Sequence, residues 1–149
     1  MPDETLAHLI LDSYQRLLGH SLLPSVLPAS AASHWLCHEA PFCLLAHDGN
    51  SDPRFIYANR CTQECFEYTA SELIGLPSRL SAPAPDRAER QQLLESVSRQ
   101  GYATGYRGLR IAKSGRHFWI ENVTVWNLLD EQGQCHGQAA TYRQWRDAP

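Results

Sequence analysis

The chain has 149 residues, 43% of them hydrophobic, with 13 Lys and Arg against 16 Asp and Glu and a formal net charge of −3. That length suits a single domain, which buries on the order of 68–70% of the surface its unfolded chain exposes. The charge balance excludes a dedicated nucleic-acid surface, which needs a clustered basic face to displace counterions, and no apolar stretch reaches the roughly 20 residues that span a bilayer. The five cysteines (Cys37, Cys43, Cys61, Cys65, Cys135) are odd in number and scattered. With no apolar signal segment before Asp3, they are expected to stay as free thiols in a reducing cytoplasm.

In chain order, the first predicted helix covers about residues 3–18. Leu6, Leu9, Ile10, Tyr14, Leu17 and Leu18 fall on one stripe at helical spacing, and Gly19 is the stop. Pro24 and Pro28 interrupt, and a second helix is expected over about 29–39. Residues 42–47 form a near-continuous apolar run bounded by Pro41 and Asp48-Gly49-Asn50, the profile of a strand buried on both faces. A second short strand over 54–57 runs into Asn59, a good helix N-cap. Thr69-Ala70-Ser71-Glu72 is a capping box for a helix that Gly75 and Pro77 end at once. The longest internal helix is expected from Asp86, with Glu89 as its capping partner and Gly101 as its end. A three-stranded antiparallel meander follows, turning at 113–116 and 130–133. The sum is an α+β domain of the PAS type. It is a five-stranded antiparallel sheet with helices on one face, a domain over 40–145 preceded by an N-terminal helical extension over 1–39, with no appended output domain.

The phrases EAPFCLLAHD (39–48), FIYANR (55–60), ELIGLPSRLSAP (72–83), DRAERQQLLESV (86–97), GYRGLRIAKSGRHFWIE (105–121) and VWNLLDEQGQCHGQAATY (125–142) resemble the MEKHLA domain. This PAS-related family occurs as short stand-alone bacterial proteins and at the C-terminus of plant class III homeodomain-leucine zipper transcription factors. The resemblance covers roughly residues 10–145, and it implies a PAS-like fold and a sensory or interaction role.

Comparison with the flavin-binding light-oxygen-voltage branch of the PAS superfamily places Ser78 where that branch carries a cysteine. A hydroxyl cannot replace a thiolate-forming nucleophile, so cysteine photochemistry is not expected. The amide code that faces a flavin is largely missing too, with Ile120 and Ala139 at the relevant positions, although a shifted register could recruit Asn122, Asn127 or Gln138. No histidine falls clearly on a pocket-lining helix, so haem is not expected. Cys61 and Cys65, and separately His34, Cys37 and His38, stand at helical spacing but lack the paired C-x-x-C of a strong zinc site, and no metal is expected. Nor is there a Gly-rich phosphate loop, a nucleophile elbow or an H-E-x-x-H pair, and the chain reads as no enzyme.

Unbroken alternation along 117–129 puts Phe118, Ile120, Asn122, Thr124 and Trp126 on one face, the composition of a ligand pocket with a few orienting polar groups. Leu44, Tyr57, Cys61, Cys65 and Leu80 complete the candidate lining. Asn59, Ser78 and Arg79 are expected to be structural or partner-linked, with Arg79 pairing Glu72, Asp86 or Glu89. Arg107, Arg110, Lys113, Arg116 and His117 read as the solvated face of a hairpin. The expectation is a cytoplasmic module that binds a small apolar or aromatic ligand and signals to a protein partner, without cofactor, membrane or nucleic acid. Two alternatives stay open: an interaction or dimerisation module with a filled core, paired through the first helix, and a flavin-binding sensor without cysteine photochemistry.

Overall fold

A computed structural model describes residues 4–149; Asp3, the expected start of the first helix, lies outside them. Five α-helices, α1 (Glu4–Leu18), α2 (Ala32–His38), α3 (Arg60–Phe66), α4 (Ala70–Leu73) and α5 (Arg87–Gln100), accompany six strands, β1 (Cys43–His47), β2 (Phe55–Ala58), β3 (Tyr102–Ile111), β4 (His117–Leu129), β5 (Cys135–Tyr142) and β6 (Gln144–Asp147). The sheet order is β2-β1-β5-β4-β3 with every pairing antiparallel. β6 was not expected. It continues β5 past Arg143 and pairs with the first half of β4.

Cores form on both sides of the sheet. On the inner side Cys43, Leu45, Phe118, Ile120, Val123 and Val125 pack with Phe66, Leu73 and Val97 from the helices that follow β2. On the outer side Leu44, Ala46, Trp126 and Leu128 pack under Ile10, Leu11 and Tyr14 of α1 and Leu36 of α2. β1 therefore alternates between two apolar cores and is buried at every position, as its unbroken apolar run requires. The stripe of α1 docks on its own sheet: Trp126 Nε1 donates to Ser13 Oγ at 3.1 Å, and the Tyr14 and Trp126 rings meet edge to face at 4.9 Å.

Local chemistry explains several boundaries. Thr69 and Glu72 make the reciprocal bonds of a capping box. Asp86, in contrast, does not cap α5. Residues 84–86 form a 3-10 turn that leads into the helix, no side-chain bond closes it, and Glu89 instead accepts from the Tyr106 hydroxyl at 2.9 Å. Gly137 has φ +138°, and a Cβ there would lie 2.1 Å from the His47 carbonyl oxygen, so only glycine lets β5 approach β1 this closely.

One residue reorders the face of β4. Asn122 has φ +51°, a left-handed conformation that asparagine tolerates, and there the strict two-residue alternation breaks. Phe118 and Ile120 face the inner core before the break, and Val123 and Val125 face it after. Thr124 and Trp126 are thereby turned to the opposite face, which corrects the unbroken alternation expected from the sequence.

Candidate functional site

Between the inner sheet face and α5 lies a cavity of about 50 Å³. Its apolar wall includes Leu45, Phe55, Phe66, Leu93, Ile120 and Val123, and its polar groups are His47, Ser81, Arg90, Tyr106, Arg110 and Gln138. Arg90 is carried on the apolar stripe of α5, three, four and seven residues before Leu93, Leu94 and Val97, so the helix turns its guanidinium inward. It is 7% exposed, no hydrogen bond or ion pair joins it to another described residue, and its nitrogens keep a little contact with solvent. Burial, reinforced by the charge of Arg110, pushes its pKa down to about 10, which leaves it cationic at neutral pH.

Arg110 is 7% exposed and reaches the same region from β3, donating to the Leu109 carbonyl at 2.8 Å and the Tyr106 hydroxyl at 3.3 Å. The sequence expectation of a solvated residue fails here because Arg110 shares an inward strand face with Tyr106 and Gly108. The neighbouring cations do lie outside and are matched, Arg107 by Glu121, Lys113 by Glu72, and Arg116 by Glu67 and Asp147. Two inward guanidiniums with no carboxylate between them make the cavity a cationic site.

His47 adds a third polar group. Its Nδ1 lies 2.9 Å from the Asp48 carbonyl, which fixes the proton there and leaves Nε2, buried and without a partner, as a bare acceptor. Burial holds the ring below its ordinary pKa; the bond to Asp48 opposes this and Arg90 adds to it. In the window below about pH 6.5 the unfolded chain binds a proton that the native ring refuses, so stability should fall as pH drops through that value. The groups that set this are Arg90 across the cavity and Asp48 on the same strand end. Urea unfolding at pH 8 and pH 5.5 should show the loss, and His47→Gln should shrink it. An equal loss in the variant would assign the effect to other groups.

Gln138 and Asn127, the amides that a shifted register could recruit, do face inward, but both hold α5. Gln138 Nε2 donates to the Leu94 carbonyl at 2.9 Å and to Asn127 Oδ1, and Asn127 Nδ2 donates to the Val97 carbonyl at 3.1 Å.

Of the ten pocket candidates named from the sequence, Ile120 alone lines this cavity. Phe118, Cys61 and Cys65 belong to the inner core around it. Leu44, Tyr57 and Trp126 belong to the outer core, and Leu80 is half-buried and belongs to neither core. Asn122 and Thr124 open on an outer groove of about 280 Å³ near Tyr14 and Arg143. That groove is larger than the inner cavity but holds no buried unpaired charge. Arg90, Arg110, His47 and Tyr106 were missed; period-two and helical stripes could have flagged the first two, had charge not been read as exposure.

The three structural candidates separate as well. Asn59 is fully buried and caps α3 as expected. Ser78 is fully buried, donates its N–H to the Pro53 carbonyl at 2.8 Å and leaves its hydroxyl without a partner, off the cavity wall. Arg79 pairs with Asp52 at 3.2 Å, not with Glu72, Asp86 or Glu89, because the loop before β2 is nearer to it than the helices. Both partners are about half exposed, so Arg79→Ala should change stability by only about 0–1 kcal/mol in urea unfolding.

Strand order and a helix crossing the inner face of the sheet define the PAS class of fold. The PAS domain of a protein from Colwellia psychrerythraea superposes with a TM-score of 0.62 at 22% identity, over 73% of this chain and 87% of that one. An RNA-binding light-oxygen-voltage receptor superposes with a TM-score of 0.65 at 18% identity, over 86% of this chain and 36% of the receptor. Residues 4–147 match the MEKHLA domain, and the chain belongs to that family. Among curated proteins it is similar to the homeobox-leucine zipper protein ATHB-9 of Arabidopsis thaliana, 28% identical over 99 residues, which make up 64% of this chain and 11% of that protein. No helix of the described residues is long and apolar enough to cross a membrane.

Proposed function

We propose that this chain is a non-enzymatic sensory module that takes a small anion-bearing molecule into the cavity between sheet and α5 and passes its occupancy to a protein partner. The observation that carries this reading is Arg90, a buried cation with no partner, facing a cavity shared with Arg110 and His47. A buried charge costs several kcal/mol unless paired, so an uncompensated one marks a place where the missing charge arrives from outside. A carboxylate would accept from the guanidiniums and favour the protonated His47 ring. The ligand class thus differs from the apolar or aromatic one read from the sequence.

Flavin is not part of the proposal. A cavity of about 50 Å³ is well below the roughly 150 Å³ that holds one benzene ring, and the inward amides are bonded to α5. The same small volume supports the second reading, an interaction module whose core is closed in use.

Thermal unfolding of the full chain against short mono- and dicarboxylates and inorganic phosphate separates the two. Native-state binding at a hundredfold excess over Kd contributes about 2.7 kcal/mol, a rise of several degrees. Arg90→Gln should abolish the rise. A panel in which no anion shifts the wild type favours the closed interaction module.

A further inference from the structure

The inner core also contains a group of sulfur atoms on which the ligand reading does not depend. Cys43 at the start of β1 is fully buried, and its Sγ lies 3.3 Å from that of Cys61 in the first turn of α3, which is half-buried and so reachable from solvent. One turn on, Cys65 accepts from the Tyr142 hydroxyl at 3.5 Å, and Tyr142 lines the cavity. The backbone, not the sulfurs, sets this proximity. Asn59 N donates to the Leu44 carbonyl at 3.0 Å, and Leu44 N donates to Asn59 Oδ1 at 3.1 Å and to Thr62 Oγ1 at 3.0 Å, so Leu44, next to Cys43, and Thr62, next to Cys61, are clamped together whatever the state of the thiols.

We infer that Cys43 and Cys61 are a redox modification site, closing to an intramolecular disulfide under a peroxide oxidant. Cys61 is the entry point because it alone of the pair meets solvent; the hydrogen bond from Cys43 holds its thiol below the ordinary value, which favours the attacking thiolate. The Cys61 thiolate attacks one oxygen of hydrogen peroxide, the O–O bond breaks, and the departing hydroxide takes a proton to leave as water. Cys61 is then a sulfenic acid. The Cys43 sulfur attacks that sulfur, the S–O bond breaks, and hydroxide leaves with the Cys43 proton as a second water. Two thiols are oxidised by two electrons and one peroxide is reduced to two waters. The sulfurs need close by only about 1.3 Å to reach the bonded separation.

The bond would join β1 to α3 across 18 positions of chain. It would also remove the thiol that donates to Cys61 and sits beside Cys65 and Tyr142, the last of which lines the cavity.

The test is a linkage map of the full chain after brief hydrogen peroxide treatment, blocking of free thiols, and cleavage after Glu, Lys and Arg. That cleavage places Cys43 in residues 40–54, Cys61 in 61–64 and Cys65 in 65–67. The expected product joins 40–54 to 61–64, survives in Cys65→Ala, disappears in Cys61→Ser, and is accompanied by a rise of several degrees in melting temperature that dithiothreitol reverses. All three peptides carrying the blocking group, Cys61 ending as an unlinked sulfinic acid, or a link from 40–54 to 65–67 in its place would each overturn the assignment. Cys61 is only half-buried and serine is close to it in size, so Cys61→Ser should fold and keeps the test decisive.

Discussion

Arg90→Met is expected to make the ligand-free protein more stable by about 1–3 kcal/mol, the range seen when buried charge is replaced by apolar side chains of similar volume. Arg90 as a residue is 7% exposed, no hydrogen bond or ion pair joins it to another described residue, and Arg110 further disfavours its charge, while the side chains around it in the stripe, Leu93, Leu94 and Val97, are apolar. Methionine matches the length of the arginine stem and adapts to an irregular gap. Urea unfolding of the two proteins measures the gain, and anion titration should show that the variant has lost its response. Gain of stability with loss of response is the signature of a residue kept for binding. A loss of stability of the same size would mean that Arg90 is satisfied within the chain, and the cavity would then have no claim on an anion.

Asn59→Ala should lower stability by about 3–5 kcal/mol, which for a chain of this size is a fall of roughly 10–15 °C in melting temperature. Every polar atom of this amide is engaged in a fully buried place. Oδ1 accepts from Leu44 N, Thr62 N and the Thr62 hydroxyl, and Nδ2 donates to the carbonyls of Leu36 at 3.1 Å and Phe42 at 2.9 Å. Alanine would leave several buried groups unsatisfied at about 1–3 kcal/mol each before relaxation. Asn59→Ser, which retains the cap of α3 but not the bonds to Leu36 and Phe42, should fall between wild type and alanine. Asn59→Asp should be the worst of the three, since it turns a carboxylate oxygen on two carbonyls. A neutral alanine variant in thermal unfolding would show that water replaces the amide and that the hub is not structural.

Asn59 illustrates what was legible in the sequence. A short-range rule identified it as a cap, and the same kind of rule found the capping box at Thr69, the stops at Gly19 and Gly101, and both turns of the meander. The bonds from its Nδ2 to Leu36 and Phe42 were invisible because they join residues 23 and 17 positions away. Alternation along β4 misled for a physical reason: period two holds only while the backbone stays extended, and one left-handed residue at Asn122 exchanged the faces of Thr124 and Trp126. The cationic cavity was hidden by a rule of averages. Arginines are mostly exposed, and Arg90 and Arg110, each 7% exposed, are exceptions to that average. The meeting of Cys43 with Cys61 depends on β1 passing beneath α3, which no spacing within either segment records.

The break at Asn122 leaves two consecutive residues of β4 with opposite duties. Trp126 grips α1 through Ser13, and Asn127 grips α5 through the Val97 and Ser98 carbonyls. The seats of the two helices, on opposite sides of the sheet, are thus one peptide bond apart. Trp126 is 0% exposed whereas Trp145 is 37% exposed, and the buried indole lies where α1 meets the strand. Of the four tryptophans, Trp126 is the one that is fully buried, so a variant in which Trp35, Trp119 and Trp145 are replaced by Phe carries a single fluorophore at the junction. If α5 shifts far enough to loosen α1, water reaches Trp126 and its emission moves to the red, a change that can be followed in unlabelled protein.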